Sequence, residues 1–149
     1  MEETGRVIGV DLGLKRVGVS ISDETKLLAS PLTTLAYEGP EKLAAALTAL
    51  AREHGATSFV VGLPKNMDGT LGPAGRRAGR FAALLRRHSG IPVCLSDERL
   101  TTSQAEKEMI ALGKSRRQRK RTIDGASAVL ILENHLRALG TTTPHKEGQ

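Results

Sequence analysis

Three carboxylates occupy positions where side chains could do chemistry together: Asp11, Glu98 and Asp124. Asp11 ends the β-branched run RVIGVD, Glu98 comes just after the apolar run IPVCLS, and Asp124 lies in the first turn of a predicted helix. Acids at the ends of elements can converge on one point, because sites in open α/β sheets form at the carboxyl ends of strands. Hard divalent ions such as Mg²⁺ and Mn²⁺ prefer carboxylate oxygens. The spacing therefore predicts a divalent-metal site.

Such a site suits the hydrolysis of a phosphodiester bond. The anionic oxygens of a phosphodiester repel an attacking hydroxide, and divalent ions offset that charge, lower the pKa of a bound water and stabilise the leaving oxygen. Two ions about 3.5–4 Å apart can act on the attacking and leaving oxygens together. Zinc is a poorer fit because the four histidines are scattered and Cys94, in the strand-like run PVCL, is expected to be a small buried residue. We expect Mg²⁺ or Mn²⁺, with two ions.

Each acid also has a purely structural interpretation. Asp11 could end its strand in an Asx turn, Glu98 could pair with Arg99 or lie in water, and Asp124 could serve only the helix dipole. These alternatives stay open when the residues are considered singly.

A short basic run carries the whole charge excess of the protein. The formal net charge is +6, from 22 Lys and Arg against 16 Asp and Glu. Only Thr122 and Ile123 separate the segment KSRRQRKR, residues 114–121, from Asp124. The segment could contact the phosphates of a nucleic acid or be a solvated loop without a partner. With two Phe, one Tyr and no Trp, an extended base-stacking surface is not expected. The basic residues of the segment are Lys114, Arg116, Arg117, Arg119, Lys120 and Arg121.

The elements that position these residues follow from the periodicity. RVIGVD and the alternating run Val17–Ser22 predict a β-hairpin, and residues 26–35 predict a weaker third strand. A helix is predicted between Pro40 and Gly55, then a buried strand over residues 58–63. A second helix follows, with these residues inward: Ala74, Ala78, Phe81, Ala82 and Leu85.

The remaining elements complete a mixed α/β sheet with helices on its faces. A strand is predicted over residues 91–96, a short helix from Thr101 to Leu112, and a last helix from about Thr122 to Ala138. We expect one domain over residues 1–140 and a disordered tail over 141–149. No apolar run is long enough to span a membrane and the N-terminus is unlike a signal peptide, so a cytoplasmic location is expected.

Four collinear segments carry a family resemblance: IGVDLGLKRVGVSISD, VVGLPKNMDGTLGPAG, LSDERLTTSQAE and IDGASAVLILENHL. They resemble the YqgF/RuvX family, which is described both as Holliday-junction-resolvase-like and as a pre-16S ribosomal RNA nuclease. The resemblance implies an RNase H-like fold, a five-stranded mixed sheet flanked by helices. It also implies that the family's three acids correspond to Asp11, Glu98 and Asp124.

The resemblance extends to residues beside the acids. Lys15 and Arg16 match the family's K-R pair in the first hairpin, and Arg99 follows the second acid. Ser127 and Ala128 match small positions that let the last helix pack close to the sheet. The implied partner is structured RNA or branched DNA, bound by Lys15, Arg16, Arg99 and the basic run. A monomer or a homodimer is compatible with the sequence.

Two rival functions remain. The VDLG motif and the hairpin after it also resemble the phosphate-binding start of actin- and hexokinase-like phosphotransferases, although this chain has only one such half and no Walker-type loop. Alternatively, the basic loop could bind RNA or DNA in a non-catalytic module whose acids are structural.

Overall fold

The computed structural model describes residues 5–97 and 127–139. The five strands are β1 (Arg6–Leu12), β2 (Arg16–Ser22), β3 (Ala29–Ala36), β4 (Ala56–Leu63) and β5 (Val93–Asp97). They form one sheet in the order β3-β2-β1-β4-β5. β2 is antiparallel to both β1 and β3, whereas β4 is parallel to both β1 and β5. The predicted mixed sheet with an antiparallel first hairpin is confirmed.

Two helices cover one face of the sheet, α1 (Pro40–His54) and α2 (Pro73–Ser89). Both begin with proline in the first turn, where the missing N–H is not needed, and both end at a left-handed glycine, Gly55 or Gly90. The strands contribute large side chains to the core beneath them, including Ile8, Val10 and Phe59, each fully buried.

The opposite face is covered by a third helix, α3, described over residues 127–139. Its buried side chains pack in a separate apolar cluster with Val7 of β1 and Val60 of β4. Because side chains alternate along a strand, odd-numbered residues of β1 and even-numbered residues of β2 lie on this α3 face. The α3 residues in the cluster are Ile131, Leu132 and Leu136.

Two predicted burials are wrong. Ala74 is exposed and Gly75 is buried in its place, because α2 approaches the preceding loop so closely that a Cβ on Gly75 would lie 2.6 Å from the Pro64 carbonyl oxygen. Cys94 is exposed, since it lies on β5 at the edge of the sheet.

The third strand begins later than predicted, at Ala29, because a turn occupies the residues before it. Asp23 organises this turn: its carboxylate accepts hydrogen bonds from the backbone N–H groups of Leu27 and Leu28 and from the Thr25 hydroxyl. These bonds lower the pKa of the exposed Asp23 carboxyl, and the bond from the Thr25 hydroxyl has the largest effect. Lys26 takes a left-handed conformation within the turn, with φ of 63°.

No helix within residues 5–97 and 127–139 is long and apolar enough to cross a membrane. The helix predicted over 101–112, the basic run and the tail all lie outside the described residues, and the last predicted helix is described only from residue 127 onwards.

Candidate active site

Asp11 lies near the carboxyl end of β1, on the α3 face of the sheet. It pairs with Gly18 of β2, which pairs in turn with Thr34 of β3. The three residues form one row across the sheet and line an open depression of about 380 Å³. The remaining lining residues belong to the β1–β2 turn (residues 13–15) and the residue after it: Gly13, Leu14, Lys15 and Arg16.

The depression combines one half-buried carboxylate with two exposed cations. Asp11 is half-buried, whereas Lys15 and Arg16 are both exposed to solvent. Gly18 has no side chain to cover the carboxylate, and Thr34 adds an exposed hydroxyl. A phosphate group could therefore contact Lys15 and Arg16 while remaining close to Asp11.

Close packing of α3 against the sheet occurs at Gly9, two residues before Asp11 on the same face of β1. The Ser20 hydroxyl donates a buried hydrogen bond of 2.7 Å to the Ala128 carbonyl. A Cβ on Gly9 would collide with the Ser20 hydroxyl and would lie 3.1 Å from the Leu132 Cβ and 3.2 Å from the Ala128 carbonyl oxygen. Only glycine fits there. Ala128 and its neighbour Ser127 are buried, so the expectation that these small residues let the helix approach is confirmed.

Gly13, the second glycine of the GVDLG motif (residues 9–13), is required by the β1–β2 turn. A Cβ on Gly13 would collide with the Arg16 carbonyl, which marks the return of the chain into β2. The two glycines that flank Asp11 therefore have separate steric reasons: Gly9 admits α3 and Gly13 closes the turn.

Contacts from the far side of the sheet hold this turn in place. Arg77 of α2 donates a 2.9 Å hydrogen bond from Nη2 to the Gly13 carbonyl, and its guanidinium lies 4.5 Å from the centre of the Tyr37 ring. The Tyr37 backbone N–H donates to the Lys15 carbonyl at 2.9 Å. Sequence reasoning assigned no role to Arg77 or Tyr37, and no local signal marks them because 64 residues separate Gly13 from Arg77.

β1 and β5 end at the same edge of the sheet, because both are parallel to β4, which lies between them. Asp97, the last residue of β5, pairs with Leu63 at the end of β4. Of the predicted site residues, Asp11, Lys15 and Arg16 are described and lie together. The others lie outside the described residues: Glu98, Arg99, Lys114, Arg116, Arg117, Arg119, Lys120, Arg121 and Asp124.

Within the described ranges, no three His, Cys, Asp or Glu side chains lie close enough to hold a metal ion. Asp11 is the one acid among the described residues of the depression. Its carboxylate is a hard oxygen donor, so this wall of the depression fits Mg²⁺ or Mn²⁺ better than a softer ion.

A family model described as "RuvX: Holliday junction resolvase" matches residues 5–138. The chain belongs to the RuvX family. The match extends from before β1 into the last turn of α3, so it includes the described site and the intervening residues 98–126. The family membership inferred from the four sequence blocks is confirmed.

Curated relatives of this RuvX-family chain are similar over almost their whole length. A Geobacillus kaustophilus protein named "Putative pre-16S rRNA nuclease" is 45% identical over 133 residues, which cover 88% of this chain and 96% of the relative. A Bacillus subtilis protein of the same name is 42% identical over 137 residues, or 90% of this chain and 99% of the relative.

The fold is that of RuvC, in the RNase H-like class. The structure described as T. thermophilus RuvC in complex with Holliday junction substrate superimposes with a TM-score of 0.61, covering 93% of this chain and 97% of RuvC at 18% identity. A fowlpox virus Holliday junction resolvase gives a TM-score of 0.53 at 11% identity, covering 89% of this chain and 99% of the resolvase. The RNase H-like fold expected from the sequence is confirmed.

Proposed function

We propose that this protein is a divalent-metal-dependent nuclease that hydrolyses phosphodiester bonds in structured nucleic acid. The observation that carries the proposal is the depression in which Asp11 lies beside Lys15 and Arg16, on an RNase H-like sheet. The names of the relatives favour pre-16S ribosomal RNA, in which we propose processing of the 5′ end, and the description of the family favours Holliday junctions. Both substrates are structured polyanions.

Asp11, Glu98 and Asp124 are proposed as the ligands of the metal, with two ions, because a pair of ions can stabilise the attacking and the leaving oxygen together. Glu98 follows Asp97, which ends β5 at the same sheet edge as Asp11. Asp124 precedes Ser127 by three residues, and Ala128, in the first described turn of α3, packs against Gly9, two residues before Asp11 on the same face of β1. Chain connectivity therefore supports bringing the three acids to one end of the sheet.

The chain's own residues bind and orient the substrate in this proposal. Lys15 and Arg16 contact phosphate oxygens, and Arg99 with the basic run at 114–121 extends the grip on the backbone. When bound, the divalent ions neutralise charge on the scissile phosphate and make a bound water more acidic. Backbone contacts of this kind read the shape of a nucleic acid rather than its sequence.

A cleavage assay with Asp11→Asn tests the proposal. The substrates are a labelled four-way DNA junction and a structured RNA with a 16S-precursor 5′ end, each incubated with Mg²⁺ or Mn²⁺. Loss of a second-shell partner of a metal ligand typically costs about 10–100-fold in activity, so loss of a ligand should cost on the order of a hundredfold or more. The charge-matched control Glu53→Gln, on the exposed side of α1, should cut as wild type does.

Each outcome decides one part of the proposal. If wild type binds the substrates but cuts neither with any divalent ion, the nuclease is refuted and the non-catalytic binding module takes its place. Equal cutting by wild type and Asp11→Asn would remove Asp11 from the metal site. Cleavage of one substrate alone identifies the nucleic acid, and cleavage of both without added metal refutes metal dependence.

A further inference from the structure

Arg77 differs from its neighbours on α2. Arg76 and Arg80 are exposed, whereas Arg77 is half-buried and turns toward the sheet. Its guanidinium makes two contacts at once, a hydrogen bond to the Gly13 carbonyl and a face-on contact with the Tyr37 ring. An arginine in a solvated face would make neither contact.

The two contacts meet the β1–β2 turn at different points. The first reaches Gly13 directly. The second fixes Tyr37, whose backbone N–H holds the Lys15 carbonyl. Tyr37 itself packs against the large-residue core beneath α1 and α2. The turn is therefore linked to the large-residue core beneath α1 and α2, while Lys15 and Arg16 on its other side line the depression.

We propose that Arg77 is a positioning residue for nucleic-acid cleavage, which holds the β1–β2 turn so that Lys15 meets the substrate phosphate beside Asp11. The inference rests on the proposed nuclease function and deepens it. Arg77 acts from behind the turn, through the Gly13 carbonyl and Tyr37, and does not itself contact the substrate.

Arginine suits this role better than lysine. Its planar guanidinium can stack on an aromatic ring while an N–H at its edge donates to a carbonyl, whereas an ammonium is a compact charge without a flat face. Arg77→Lys keeps the positive charge and should lose the pair of contacts. This separates a positioning role from a role as one more cation near the phosphates.

The experiment compares Arg77→Ala and Arg77→Lys with the matched control Arg80→Ala, which removes the same charge from the exposed side of the same helix. kcat and KM for the cleaved substrate are measured well below each variant's melting temperature. We expect kcat/KM to fall about tenfold in both Arg77 variants, which corresponds to about 1.4 kcal/mol, and to stay unchanged in Arg80→Ala. Recovery of wild-type activity by Arg77→Lys would overturn the proposal.

A double-mutant cycle with Lys15→Ala tests the path of the effect. If Arg77 acts by placing Lys15, Arg77→Ala should cost less than twofold once Lys15 has been removed. Lys15→Ala should also lower the salt dependence of binding by about one phosphate contact, and Arg77→Ala should not lower it further in that background. Fully additive effects would mean that Arg77 contacts the substrate itself and would refute the positioning role.

Failure of this inference is distinguishable from failure of the proposed nuclease. Wild-type cleavage that Asp11→Asn abolishes, together with wild-type kcat and KM in Arg77→Ala, refutes only the role of Arg77. Lower melting temperature with unchanged kinetic constants assigns Arg77 to stability alone and equally refutes it. Absence of cleavage by wild type refutes the nuclease, and with it the inference.

Discussion

The two faces of the sheet are built from side chains of different size and polarity. Beneath α1 and α2 the strands present large apolar residues, such as Ile8, Val19 and Phe59. Beneath α3 they present mainly glycine, serine and valine, and the buried hydrogen bond from Ser20 to Ala128 crosses the gap to the helix. Asp11 and its depression belong to this second face.

The difference shows how one sheet can serve stability and chemistry at once. Large side chains on one face bury enough area to hold the sheet together, since each fully buried apolar side chain contributes about 1.5–3 kcal/mol. Small side chains on the other face leave room for α3 to lie close and for Asp11 to remain accessible. The β1–β2 turn joins the two, because Arg77 and Tyr37 support it from the large-residue side.

Phe59→Ala should have the largest effect on stability. Phe59 is fully buried in the large-residue core, so its truncation should lower the free energy of unfolding by about 3–5 kcal/mol. Urea denaturation followed by circular dichroism measures the loss. Activity per folded molecule should change little because Phe59 lies on the face away from Asp11. A loss below about 1 kcal/mol would contradict the assignment of stability to this face.

Gly9→Ala should have the next largest effect, and it tests the small-residue face. The added methyl collides with the Ser20 hydroxyl and crowds Ala128, so α3 must shift, at a cost of roughly 1–3 kcal/mol. Cleavage should fall too, because Gly9 lies two residues before Asp11 on the same face of β1.

The matched control is Gly79→Ala on α2, where a Cβ meets no atom within 4 Å. This change should raise stability by roughly 0.5–1 kcal/mol, because alanine is the better helix former. The two glycine substitutions should therefore differ in sign in the same denaturation assay. Equal effects would mean that α3 tolerates a wider separation from the sheet.

The smallest expected effect is on the pH dependence of stability, and it concerns α3, the helix that covers the small-residue face. Burial, reinforced by the charge of Lys26, lowers the pKa of His135 on α3 below its usual 6.5. The unfolded chain then binds more protons than the folded chain, so His135 supports stability above pH 6.5 and that support is lost as the pH falls through the folded-state pKa. Unfolding free energies measured from pH 7.5 to 5 should fall less steeply in His135→Gln. An unchanged slope would contradict this origin.

Much of the fold could be predicted from the sequence because its signals are local. Period-two alternation gave the β1–β2 hairpin, and Pro40 with Gly55 gave both ends of α1. Asp11 could be recognised as a candidate because it lies near the end of a strand within the GVDLG motif, and the family blocks indicated the RNase H-like class. The exposure of Cys94 could not be predicted, because an apolar run does not reveal that its strand lies at the edge of a sheet.

The sequence by itself determined the five strands and the first two helices to within a few residues, the acid near the end of β1, and the family. Only the tertiary structure decided that Asp11 lies on the face covered by α3, and which residues hold the β1–β2 turn beside it. The alternation along β1 assigns residues to two faces but does not say which helix covers each. The contacts of Arg77 with Gly13 and Tyr37 link segments 64 and 40 residues apart, and only chain packing brings such segments together.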